Sequence, residues 1–140
     1  MQPEIKIVEG IRNAPIFSLL KERFPLDEEK VVITYGDSIF LNHKDALTQD
    51  LFVHESVHCK QQGYNDADAS NWWGCYLSQK SFRLSEEIEA YRAQYAFLKK
   101  HIKNRNRLFG ELRRLAKDLS GHVYGNIIGF LTAMQEIRKG

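Results

Sequence analysis

Two histidines four residues apart, with a glutamate directly after the first, stand at His54-Glu55-Ser56-Val57-His58. On a helix, positions i and i+4 lie one above the other, so His54 and His58 face the same way. Imidazoles stacked like this can hold one Zn²⁺ through ring nitrogens at about 2.0–2.1 Å. Glu55 lies about 100° round the helix from His54. It therefore misses the metal and can still reach a water held there, which is where a general base must stand. Histidine pairs on an apolar helix face more often serve as hydrogen-bonded core residues, and three details oppose that here. The pair shares a face with Leu47 and Leu51, so it points inward. A buried Glu55 with no Lys or Arg within one turn on that face would be costly without a partner. Finally, a third ligand is on offer downstream.

That ligand is sought on the helix expected over residues 82–103, whose apolar seam runs Leu84, Ile88, Tyr91, Tyr95, Leu98, Ile102. The seam is spaced alternately four and three apart. Glu87 lies about 60° from its centre, whereas Glu89 lies about 140° and Glu86 about 160° away. Glu87 alone leans to the buried side; Glu86 and Glu89 can be solvated, and Glu89 can pair with Arg83 or Arg92. The bland alternative for Glu87 is a boundary carboxylate paired with Arg83 or Arg92. With His54 and His58, Glu87 would complete a His₂Glu set that leaves a fourth position open for water.

The elements that must position these side chains follow from pattern. Residues 4–9 alternate as a short strand, and 14–24 form a short helix opened by Pro15 and closed before Pro25. The runs 31–35 and 38–41 flank Gly36-Asp37, so 30–42 reads as a β-hairpin. The metal helix spans 45–62, with Gly63 as its stop. Residues 63–81 read as a polar connection anchored by Trp72 and Trp73. Ser81 or Ser85 can cap the 82–103 helix. After a break at Asn104 and Asn106 come helices at 108–119 and 127–139, joined by a turn at 124–126. The expected fold is α+β and mainly α: one domain over 1–140, with a short N-terminal β-hairpin packed on the metal helix and three further helices.

At 140 residues, 43% hydrophobic and 11% aromatic, the chain can build a core and is not of disordered composition. Its two cysteines do not make a disulfide framework, and Cys59 turns about 100° away from His58, so it reads as packing. No run of eighteen apolar residues occurs, and residues 1–8 lack the apolar core of a signal peptide. These features lead us to expect no membrane partner and a cytoplasmic location. Residues 99–117 hold eight Lys/Arg against one Glu, a local charge of +7, so the rest of the chain sums to −5 against the total of +2. Such a tract can mark a nucleic-acid or polyanion surface. Without stacking aromatics or a recognition motif it reads instead as the solvated face of helices whose Leu108, Leu112 and Leu115 pack inward.

His54-Glu55-x-x-His58 followed by Glu87-x-x-Ala90-Tyr91 resembles the gluzincin branch of the zincin metallopeptidases, whose third ligand is a Glu on a later helix. The wider pattern over 54–126, including 82–95 and 119–126, is similar to small phage and prophage proteins described as metallopeptidases. It departs from the metzincin pattern, which has a third His where this chain has Tyr64. The resemblance implies a minimal zincin-like fold, a Zn²⁺ cofactor on His54, His58 and Glu87, and hydrolysis of a peptide or protein substrate with Glu55 as base. It also implies that strand 38–42 lies beside the metal helix as an edge, open to strand addition by a peptide. Tyr124, His122, Tyr91 and Tyr64 are the candidate oxyanion donors; Tyr124 and His122 sit in a Gly-flanked turn that can approach a site closely or simply join two helices. A competing reading is a zinc-stabilised phage assembly protein without turnover, virion-associated, with 99–117 as a polyanion-binding face. Small size favours it, and the presence of Glu55 opposes it, because a purely structural site needs no such carboxylate.

Overall fold

The run Ser38–Leu41 forms the middle strand of a three-stranded sheet rather than its border. The structure, a computed structural model, describes residues 2–139. Strand β1 (Lys6–Glu9) pairs in parallel with β3 (Ser38–Leu41), and β2 (Ile33–Tyr35) pairs with β3 antiparallel, in the order β1-β3-β2. Tyr35 faces Ser38 across the expected two-residue turn, where Gly36 takes φ +64°, a left-handed value that favours glycine. The edge expectation for 38–42 therefore fails: β2 is the strand against the metal helix, because the chain before the hairpin returns to cover β3 on its other side.

Helix α1 (Phe17–Arg23) buries Phe17 and Leu20, and helix α2 (Gln49–Gln61) carries the histidine pair. Helix α2 begins four residues later than its pattern suggested: residues 44–46 form a separate 3₁₀ turn, and Leu47 precedes the helix instead of sharing its face. The connection expected over 63–81 is largely helix α3 (Asp66–Ser78). Asn65 caps it, its side chain accepting from the Asp68 amide, while Trp72, Trp73 and Tyr76 bury its inner face. Helix α4 (Lys80–His101) follows almost at once, so neither Ser81 nor Ser85 is its cap; that place falls to Gln79, which makes no side-chain cap bond. Helices α5 (Arg105–Leu119) and α6 (Phe130–Lys139) complete the chain, with Asn104 capping α5 through the Arg107 amide.

The molecule is thus α+β and mainly helical, with six α-helices among the described residues. None of them is long and apolar enough to cross a membrane. Two apolar clusters form. One joins α1, the sheet and α3 around Phe17, Leu20, Ile33, Phe40, Trp72 and Trp73. The other joins α4, α5 and α6 around Tyr91, Leu98, Leu112, Leu115, Leu119 and Ile137. The full seam of α4 packs in this second cluster, and Tyr124 touches both. Helix α2 packs most extensively on α4 and meets β2 on its other side, which brings the histidine face between the two cores.

Candidate metal centre

Four residues of separation on α2 place the His54 and His58 rings 4.9 Å apart, edge to face. Both are buried, and across from them on α4 stands Glu87, 3% exposed. Glu87 Oε1 lies 3.2 Å from His54 Nε2 and 3.2 Å from His58 Nε2. The three donor atoms all lie within 4.8 Å of one another, so His54, His58 and Glu87 could hold a metal ion. Ligands at about 2.0–2.1 Å on a tetrahedron stand roughly 3.3 Å from each other, so the observed spacings fit such a site.

The surrounding hydrogen bonds settle which ring nitrogens face the centre. Gln94 gives its amide nitrogen to Asp50 Oδ2 at 2.8 Å, an acceptor only, so its oxygen must face His54 Nδ1, 3.0 Å away. Gln61 likewise gives its nitrogen to Glu86 O and Glu89 Oε1, so its oxygen faces His58 Nδ1 at 2.7 Å. Each Nδ1 therefore donates outward, and each Nε2 points at Glu87. Tyr76 donates to Glu87 Oε2 at 2.7 Å, which leaves Oε1 free for the centre. Three electron-pair donors face one another, and only a proton or a cation between them makes that arrangement favourable. With a proton there, burial works against the charge on His58, but the Glu87 carboxylate outweighs it and lifts the imidazole to about 9. Burial likewise opposes the charge on Glu87, and the histidines overcome it, holding the carboxyl well below its usual range.

Glu55 stands beside this set and outside it. Its Oε1 accepts from the Thr34 hydroxyl of β2 at 2.8 Å, and its Oε2 lies 3.9 Å from His54 Nε2. A cleft of about 800 Å³ opens over the four residues. The segment 24–34 forms one wall, and Arg114, Lys117 and the 3₁₀ turn His122–Tyr124 form the other. Tyr124 reaches inward to share a 2.8 Å hydrogen bond with the Tyr91 hydroxyl, and Arg83 anchors its carbonyl at 3.0 Å. Tyr91 packs on the His54 ring. His122 lies on the exposed rim of the same cleft. Tyr64, at the end of α2, is not among the cleft-lining residues.

The expected alternatives on α4 resolve differently. Glu87 meets neither Arg83 nor Arg92: Arg83 donates to the Tyr76 and Tyr124 carbonyls, and Arg92 pairs with Glu136. Glu86 accepts from Trp72 Nε1, and Glu89 binds Gln61 rather than an arginine. Sequence reading missed Gln61, Gln94, Tyr76 and Thr34. Gln61 lies three residues after His58, and Gln94 two turns after Glu87 on the same face, so helical spacing held a signal for both. Tyr76 lay in an unrecognised helix. Thr34 looked like any other β-branched strand residue.

No protein-family model matches the chain, and no curated protein or solved structure is similar enough to it to count as a match.

Proposed function

We propose that this chain is a zinc-dependent metallopeptidase that hydrolyses peptide bonds with Glu55 as general base. The observation that carries this reading is the convergence of His54 Nε2, His58 Nε2 and Glu87 Oε1, with a second carboxylate, Glu55, held just apart in the same cleft. Zn²⁺ suits two imidazoles and a carboxylate, and when bound it supplies Lewis-acid polarisation of a carbonyl and makes water more acidic.

The remaining work belongs to the chain. Glu55 lines the same cleft, and its Oε2, which accepts no hydrogen bond among the described residues, can take the proton of an attacking water. The Tyr91 hydroxyl can donate to Tyr124, which leaves the Tyr124 proton for the oxyanion of a substrate. His122, on the rim, is the second donor within the same turn. Burial of the three ligands requires an extended segment of peptide, since a folded surface would not reach them. Strand addition along β2 would use residues ahead of Thr34, because the Thr34 carbonyl already accepts from Gln62 and Trp73.

The test uses protein purified without chelator or His-tag, assayed on quenched fluorescent casein. Hydrolysis should depend on bound zinc and vanish in Glu55→Gln while metal content and melting temperature stay unchanged. Hydrolysis that survives Glu55→Gln rejects the mechanism. Zinc closed off by a fourth protein ligand would instead favour a structural site.

A further inference from the structure

A general base next to a metal faces a problem of its own. A buried carboxylate adjacent to a cation is drawn onto it, and a base that becomes a ligand closes the position where water must sit. Glu55 follows His54 directly in sequence, and its Oε2 lies 3.9 Å from His54 Nε2, yet Glu55 lies outside the set of donor atoms that converge. Something holds it back.

The structure points to Thr34. Its hydroxyl donates to Glu55 Oε1 at 2.8 Å, the one hydrogen bond that this carboxylate accepts among the described residues. Thr34 is itself 2% exposed and immobilised from three sides. It pairs with Ile39 in the sheet. Its carbonyl accepts from Gln62 Nε2 at 3.1 Å and from Trp73 Nε1 at 3.0 Å, which ties β2 to α2 and to α3. Gln62 also accepts from the Gly36 amide at 2.7 Å, which fixes the backbone two residues on as well. The branched side chain, on so constrained a backbone, has little freedom at χ1. We propose that Thr34 is the positioning residue of Glu55: its hydroxyl holds the carboxylate off the metal and keeps the fourth position open. This rests on the metal-centre reading above. Without the hydroxyl, Oε1 loses its one donor at a buried position, and the nearest compensating charge is the metal, so Glu55 swings in as a fourth ligand.

The probe is Co²⁺ alone, added to the metal-free 140-residue chain, with thiocyanate as a reporter of an open coordination position. Thiocyanate should shift the visible spectrum of the wild type and of Thr34→Ser, which keeps the hydroxyl. It should leave the spectrum of Thr34→Val unchanged, and Co²⁺ should bind that variant about tenfold more tightly, the scale on which groups around the ligands act. Thr34→Ala predicts the same closed site, and circular dichroism and melting temperature establish that each variant is folded. The double substitution Thr34→Val with Glu55→Ala should reopen the position. A Thr34→Val site that still takes thiocyanate, a Thr34→Ser site that closes, or a double variant that stays closed each overturns the proposal. A wild type that binds no Co²⁺ removes the metal centre itself, and this proposal with it.

Discussion

Glu87 and the two histidines differ from an ordinary buried ion pair in how completely their outer atoms are committed. Gln94 is the clearest case, since it orients His54 with its oxygen and spends its nitrogen on Asp50. Gln94→Ala should weaken zinc about 10- to 100-fold, read by competition with a chromogenic chelator, while an unchanged affinity would mean that His54 is oriented by packing alone. The proton balance is equally specific. His58 must be neutral to ligate, yet in the metal-free chain Glu87 lifts it to about 9, above the ordinary 6.5. A raised value stabilises the metal-free fold fully below about pH 6.5, and that contribution is lost as pH rises through about 9. Zinc entering at pH 7.5 should therefore displace close to one proton, and affinity should rise with pH up to about 9. Calorimetry in buffers of different ionisation enthalpy checks this; a heat independent of buffer would contradict it. His54, Glu55 and His58 were legible in sequence because their relation is local, and Glu87 because one helix angle locates it. Thr34, Gln94 and Tyr76 earn their places only through contacts between elements, which no spacing records.

At the scale of elements, Gln62 ties the hairpin to the end of α2 beside the Thr34–Glu55 bond. Gln62 is fully buried and bonds both the Thr34 carbonyl and the Gly36 amide, standing where a neighbouring strand would. Gln62→Leu leaves the Gly36 amide without its partner and the Thr34 carbonyl with Trp73 alone, and should cost about 1–3 kcal/mol, measured by urea unfolding; a loss below about 0.5 would mean that water replaces the amide. Elements with strong local patterns were read correctly in kind: the hairpin, α2, and the long seam of α4. Helix α3 was not, because Gly63, Asn65, Gly74 and several polar residues resemble a loop, although Asn65-x-x-Asp68 carried a capping signal. The order of strands was also out of reach. Which side of β3 receives β1 depends on where α1 carries the chain, and a strand pattern of period two says nothing about that.

For the whole molecule, charge is spread unevenly, and within the basic tract Arg114 is the one basic residue in an ion pair among the described residues, with Asp50 and Glu111. The basic tract lies along the end of α4 and the outer face of α5, with Leu112 and Leu115 packed inward as expected. The N-terminal half carries its own electrostatic clasp. Hydrogen bonds from Arg12 and Lys21, aided by their charges, hold the Glu28 carboxyl at about 2 against an ordinary 4.5. A lowered value contributes stability above about pH 4.5 that is lost as pH falls through about 2. The melting temperature of Glu28→Gln should therefore fall less steeply than that of the wild type across this range, and parallel curves would show that the clasp adds nothing.

The parallel pairing of β1 with β3 has a consequence in time. The β2–β3 hairpin closes over two residues, a step of about 1–10 μs. Lys6 reaches Ser38 only after the intervening chain, with α1 inside it, has been gathered in, and the entropy of that loop is lost before the pairing returns anything. The strand that leaves the ribosome first is thus the last of the three to be seated.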